Sequence, residues 1–217
     1  MSFNKDPWSA ATHFAGFLAA VVGLVFLVLP PDQGPAKVTA MALYGGSLVA
    51  LFLASSVYHF LDLGHRGNRW LRRLDHSAIF LLIAGSYMPP IIHFLDGPMR
   101  ITMLSVVGGI AVAGVLVKLA WIDSPTWLSL ALYLALGWIV LVPIWWMLPH
   151  MAASTLALLI AGGVAYTVGA VVYAKQWPDP WPAVFGHHEV WHLFVLAGAG
   201  LHYACMFTLL DAPVPAF

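Results

Sequence analysis

Charge is what this sequence has least of. Only 8% of its 217 residues are Asp, Glu, Lys or Arg, while 61% are hydrophobic. A soluble globular chain carries roughly 25% charged residues. Without them the exterior cannot be mostly wetted, so lipid must cover much of it. The nine basic and nine acidic side chains cancel. That removes the basic footprint of a nucleic-acid binder, and no nucleic-acid partner is expected. Cysteine is nearly absent, and Cys205 alone builds neither a disulfide framework nor a CxxC metal site. Lysine is missing from the last apolar run, residues 188–210, which excludes a retinal-bearing pump of the rhodopsin kind.

Long apolar runs are what the chain has in quantity. A helix needs about 20 apolar residues to cross a bilayer. Runs of that order occupy residues 11–29, 39–60, 76–95, 101–121, 127–148, 152–174 and 188–210. They are continuous, where barrel strands would be short and alternating. Turn chemistry separates them: Pro30-Pro31-Asp32-Gln33-Gly34, Gly64-His65-Arg66-Gly67-Asn68, Asp96-Gly97-Pro98, Asp123-Ser124-Pro125, Pro149 and Trp177-Pro178-Asp179-Pro180. The break at Pro149-His150 is the weakest. The first run ends in Pro-Pro-Asp and lacks a small-residue cleavage site, so it reads as a retained helix, not a signal peptide. Gly108-Gly109, Gly162-Gly163 and Gly198-Ala199-Gly200 suit close helix packing. Trp8, Trp70, Trp121, Trp127, Trp177 and Trp181 fall near run ends, where membrane interfaces favour tryptophan.

The basic residues orient the bundle. Lys5, Arg66, Arg69, Arg72, Arg73, Lys118 and Lys175 fall on one side, and Lys37 and Arg100 on the other. Cytoplasmic loops carry the excess of Lys and Arg. The expected fold is therefore all-α and integral to the membrane. It is a single seven-transmembrane-helix bundle over residues 1–217, with the N-terminus cytoplasmic and the C-terminus outside.

Ten histidines are unusual in so apolar a chain, because an ionisable group inside a membrane is costly and normally functional. The topology gathers several at the cytoplasmic side. His59 ends the second run, Asp75 precedes the third, and His188 and His192 open the seventh. His188 and His192 are one helical turn apart, with Cβ atoms about 6 Å from each other. They can chelate one ion, and His59 makes a third ligand. Three protein ligands with one open position is the usual form of catalytic zinc. His13 and His76 fall at the same side as possible supporting groups. His187 points away from the His188 face, His65 and His150 are loop residues, and His93 and His202 are packed in the outer half.

His188-Glu189-Val190-Trp191-His192 also reads HExxH, the zinc motif of metalloproteases, with Glu189 as general base. The Leu95-Asp96-Gly97 sequence that such an intramembrane protease needs is present. It precedes the histidine pair and falls on the opposite membrane face, so Asp96 cannot share the ion.

Four segments carry a resemblance: Ser55-Ser56-Val57-Tyr58-His59, Leu74-Asp75-His76-Ser77, Gly85-Ser86-Tyr87-Met88-Pro89 and His187-His188-Glu189-Val190-Trp191-His192. In combination, and from Ala11-Thr12-His13 to His202-Tyr203, the chain resembles the hemolysin III proteins. These are bacterial relatives of the progestin and adiponectin receptors, in a superfamily that includes the alkaline ceramidases. The resemblance implies a seven-helix bundle in the bacterial cytoplasmic membrane, with Zn2+ on His59, His188 and His192. The family's aspartate maps to Asp75 and its serine to Ser55.

The family's bacterial members look like regulators of membrane lipid composition or fluidity. The implied partners are membrane lipids, with a lipid or fatty-acyl ligand inside the bundle. One reading is a zinc-dependent hydrolase of a lipid amide or ester, in which Asp75 accepts a proton from water and Ser55 hydrogen-bonds the oxyanion. The other is a lipid or fluidity sensor in which zinc pins the helices together. Ser55 has its own alternative, a hydroxyl bonded back to its own helix. Glu189 is either a supporting carboxylate or an interfacial one.

Overall fold

The computed structural model describes residues 6–31, 33–182, 184–210 and 212. Lys5, Asp32 and the terminal Phe217 lie outside them. The described chain is helical: α1 (Pro7–Val28), α2 (Pro35–Phe60), α3 (Gly64–Phe94), α4 (Gly97–Ala120), α5 (Thr126–Trp138), α6 (Ile144–Met147), α7 (Ala153–Lys175) and α8 (His187–Thr208). Three of the starts follow from proline at the first or second helical position, in α1, α2 and α4. There the missing N–H would have had no partner in any case.

Six helices are long and apolar enough to cross a membrane, and the bent pair Thr126–Leu141 and Ile144–His150 makes up to a seventh crossing. The outer faces are apolar: Phe14, Val22 and Phe26 on α1, Ile101, Val112 and Leu116 on α4, and Leu141, Val142 and Trp145 along the bent segment are exposed. Only lipid covers such a surface favourably. The protein is a multi-pass integral membrane protein. The six tryptophans expected near interfaces are all exposed, and the Arg73 guanidinium lies 4.7 Å from the Trp70 ring centre.

Helices adjacent in sequence pack together, and α1 closes the arrangement against α8. The helix α3 touches α2, α4, α5 and α8 and so occupies the centre. Cross-links fix which loops share an end. Arg69 and Arg72 reach Asp123, in the α4–α5 loop, at 2.9 and 3.2 Å. At the other end, Lys37 donates to the Leu210 carbonyl at 2.8 Å.

The structure departs from the sequence reading in four places. Residues 64–68, expected as a loop, begin α3, which runs for 31 residues. The real connection is shorter, and Asp62 organises it. Its carboxylate accepts the Gly64 amide at 3.0 Å and the Asn68 side chain at 2.8 Å. Second, the fifth span is bent by 40°. Pro143, at the break, has no N–H to continue the helix. In lipid the freed backbone groups need partners, and Tyr87 supplies them. Its hydroxyl lies 2.8 and 2.6 Å from the Leu136 and Gly137 carbonyl oxygens and accepts the Val140 amide at 2.9 Å.

Third, only some of the glycines pack. A Cβ on Gly162 would meet the His202 ring at 2.1 Å and one on Gly198 the Tyr166 ring at 2.9 Å, whereas Gly108, Gly109 and Gly200 face open space. Fourth, Lys118, counted with the basic residues of the cytoplasmic side, is turned into the protein. Only 1% of it is exposed.

Candidate metal centre

The last turn of α2 and the first two turns of α8 meet at one end of the bundle, beside the start of α1. His59 comes from α2, and His188 and His192 from successive turns of α8. Among the described residues these three form the group whose metal-ligating atoms all lie within 4.8 Å of one another. The ring centres are 5.0 Å apart for His59 and His188, 4.9 Å for His59 and His192, and 4.8 Å for His188 and His192. The ring planes are steeply inclined, at 69°, 79° and 50°, so the rings surround a point and do not stack.

The Nε2 atoms of His188 and His192 are 3.1 Å apart. Two nitrogens on one tetrahedral ion, each at about 2.0–2.1 Å, lie about 3.3 Å apart. The pair fits an ion with almost no movement, and His59 needs a small approach.

A second layer holds these rings. Asp6, just before α1, places Oδ2 3.2 Å from His59 Nδ1. A carboxylate there keeps the proton on Nδ1 and leaves Nε2 as the lone-pair nitrogen. Partial burial works against a charge on Asp6, but its contact with His59 outweighs this and holds the carboxyl well below its usual range. His13 stacks on His192, with ring centres 3.7 Å apart and planes 13° from parallel. Its Nδ1 shares a 2.8 Å hydrogen bond with Ser55 Oγ. Ser55 thus has a partner on α1, outside its own helix. Its neighbour Ser56 is bonded back to its own helix, to the Phe52 carbonyl at 2.7 Å.

Glu189 has another occupation. Its Oε2 accepts the Gly186 amide at 2.7 Å, closing the N-terminus of α8, and its Oε1 accepts the Ser9 hydroxyl at 3.0 Å. It caps α8 and ties that helix to α1. Both oxygens are engaged in these contacts, as a supporting carboxylate would be. His187 also leaves the site, with its Nδ1 3.6 Å from Asp179. His202 faces the Leu159 carbonyl at 3.2 Å, and His93 is buried. Asp96 precedes α4, at the far end of α3 from Asp75.

A cavity of about 270 Å³ begins at these residues. That is near the lower end of ligand cavities, roughly 300–1,000 Å³. His13, Ser55, Asp75, His76, His188 and His192 line its polar end. Asp75 is 9% exposed and sits on the cavity wall, outside the three-histidine group. The remaining wall is mainly apolar, from Leu82, Ile83, Leu130 and Val195 among others. Leu141 and Ile160 line the cavity and are also 56% and 51% exposed on the outside. The cavity wall between the bent fifth span and α7 is thus formed by side chains that are themselves more than half exposed.

Sequence reasoning placed the three histidines together, with Asp75 and Ser55 beside them. It missed Asp6, although the counting that located His59 puts Asp6 at the same membrane side. It also missed the inward position of Lys118, for which a basic residue near the end of an apolar run gave no signal.

Residues 1–203 match the family model described as Haemolysin-III related. The chain is 31% identical to "Hemolysin-3 homolog" of Bacillus subtilis over 208 residues, 94% of each protein. It is 32% identical to "Hemolysin-3" of Bacillus cereus over 205 residues, 94% of this chain and 90% of that one. It is also 32% identical to "Heptahelical transmembrane protein ADIPOR2" of Oryza sativa over 182 residues, 76% of this chain and 79% of that one. With its helices, buried histidines and matched length, the chain belongs to the haemolysin-III family.

Proposed function

We propose that this protein spans the bacterial cytoplasmic membrane seven times, holds Zn2+ on His59, His188 and His192, and hydrolyses an amide or ester bond of a membrane lipid. Its place is in membrane lipid homeostasis, with the N-terminus and the histidines at the cytoplasmic side. The observation that carries this is the convergence of three imidazoles, those of His59 and His192 buried and that of His188 half-buried, with His188 and His192 lining the polar end of a mainly apolar cavity. The heptahelical name of the rice relative supports the seventh crossing. The clustering of Arg66, Arg69, Arg72 and Arg73 at the start of α3 supports the orientation.

Three imidazole nitrogens suit zinc, and bound there it supplies Lewis acidity that polarises a carbonyl and makes water a better acid. The chain's own residues divide the remaining work. Asp6 fixes the tautomer of His59, and His13 backs the ring of His192. The acyl chain of the substrate lies among Leu82, Ile83, Leu130 and Val195, which bring the scissile group to the histidines and keep bulk water out. Asp75, on the cavity wall, accepts the proton that a water gives up as it attacks the acyl carbon, and returns it to the amine or alcohol that leaves as the acyl C–N or C–O bond breaks. Ser55, whose hydroxyl His13 orients, donates to the oxygen on which negative charge grows.

One observation favours the sensor reading. Ser55 already holds a short hydrogen bond to His13, as in a purely structural network joining α1, α2 and α8. A panel of lipid amides and esters, assayed with parent and Asp75→Asn protein of equal zinc content, separates the two. Turnover by the parent that disappears in Asp75→Asn supports hydrolysis. No turnover by the parent, with a lowered melting temperature for Asp75→Asn, supports structural zinc.

A further inference from the structure

The inner end of α4 holds a cation in an unusual place. Lys118 is 1% exposed. Its ammonium donates to Ser124 Oγ at 2.8 Å and to Ser129 Oγ, and the two hydroxyls are 3.4 Å apart. Among the described residues no carboxylate lies within ion-pair distance of it. An ammonium has three N–H donors, and the two hydroxyls that it reaches are neutral and supply no counter-charge. Burying such a group is costly unless an anion joins it. Lys118, Ser124 and Ser129 all line the cavity that the histidines close, and Arg72, which pairs with Asp123 at 3.2 Å, lies on the same wall. Asp75, His76, Tyr133 and Tyr173 are further titratable groups on the cavity wall.

We propose that Lys118, Ser124 and Ser129 form an anion subsite that takes the carboxylate or phosphate group of an acyl lipid whose chain lies in the cavity. Both groups are oxyanions that accept from an ammonium and two hydroxyls at once. The subsite gives the protein a preference for acidic lipids over neutral ones of equal chain length. It rests on the reading of the cavity as a lipid site, and it adds the charge of the headgroup to that reading.

The test compares dodecanoate, dodecyl phosphate and dodecanol as competitors for a fluorescent acyl probe. It uses purified full-length protein in a neutral detergent, with zinc measured in every sample. At least one anion is expected to bind about tenfold or more tightly than the alcohol, and which anion does so identifies the headgroup class. Lys118→Met should bring acid and alcohol together without changing the affinity for dodecanol. Ser124→Ala with Ser129→Ala should weaken the preference while leaving the charge in place, and it serves if Lys118→Met folds poorly. Equal affinity for anion and alcohol in the parent protein, as a neutral lysine would give, overturns the subsite and leaves the acyl cavity standing. A preference that survives in both variants also overturns it. Failure of all three compounds to bind overturns the subsite and the lipid cavity together.

Discussion

Asp6 and His59, 53 residues apart in sequence, face each other across the start of α1 and the end of α2, with Oδ2 3.2 Å from Nδ1. The contact sets which nitrogen of His59 is left for a metal. Asp6→Asn keeps the shape and removes the charge, so zinc affinity should fall by about 10- to 100-fold, the usual loss when a ligand's orienting carboxylate is removed. Titration with a competing chelator measures this. An unchanged affinity would mean that His59 is held by its helix alone.

Ser55 and Asp75 share the cavity wall with the histidines without belonging to the ligand group. Asp75→Asn and Ser55→Ala are therefore expected to retain zinc. Asp75→Asn should cut turnover of the best lipid substrate by about 10²- to 10⁴-fold, and Ser55→Ala by about 10²- to 10³-fold if its hydroxyl is the oxyanion donor. His13→Ala should follow Ser55→Ala in direction, because it orients that hydroxyl. Zinc loss in either Ser55→Ala or Asp75→Asn would make the residue a part of the metal site, not of the chemistry.

Helix packing gives a prediction independent of the metal. A methyl group at Gly162 would press into the His202 ring at 2.1 Å. Gly162→Ala should therefore loosen α7 from α8, at about 1–3 kcal/mol, read as a lower melting temperature in detergent. Gly108→Ala meets open space and should leave the melt unchanged or slightly raised, since alanine favours helix. Equal melts for the two would contradict the tight α7–α8 contact.

Much of the bundle was legible because hydropathy acts on long windows. A run such as 101–121 can hardly be anything but a spanning helix. Elements that do not depend on an apolar run were not legible. The start of α3 is arginine-rich and helical because Asp62 and Asn68 close its turn, a local hydrogen-bond pattern that hydropathy does not sense. The fifth span reads as one run because Pro143 is apolar enough to be counted with its neighbours, while its missing N–H bends the chain.

The metal ligands were legible for a different reason. A four-residue spacing puts His188 and His192 on one face, and the membrane side of His59 followed from the arginines. Which residues support them was hidden. The stacking of His13 on His192 and the pairing of Asp6 with His59 depend on α1 packing against α2 and α8, which no local pattern encodes.

Orientation can be tested without any assay of function. A reporter in the α2–α3 connection, residues 61–63, should be cytoplasmic, and one fused after Phe217 should be on the opposite face. Arg69 and Arg72 bind Asp123, so a reporter in the α4–α5 loop should report the same side as the first. Finding the α2–α3 reporter and the fusion after Phe217 on one face would mean that the bent pair does not cross.

The metal content of purified protein tests the three-histidine centre most directly. Elemental analysis should find about one zinc per chain, as one three-histidine site can hold. His59→Ala, His188→Ala and His192→Ala should each lose most of it, while His93→Ala, whose ring is buried away from the site, keeps it. Well-folded His188→Ala and His192→Ala proteins that retain full zinc would contradict the assignment.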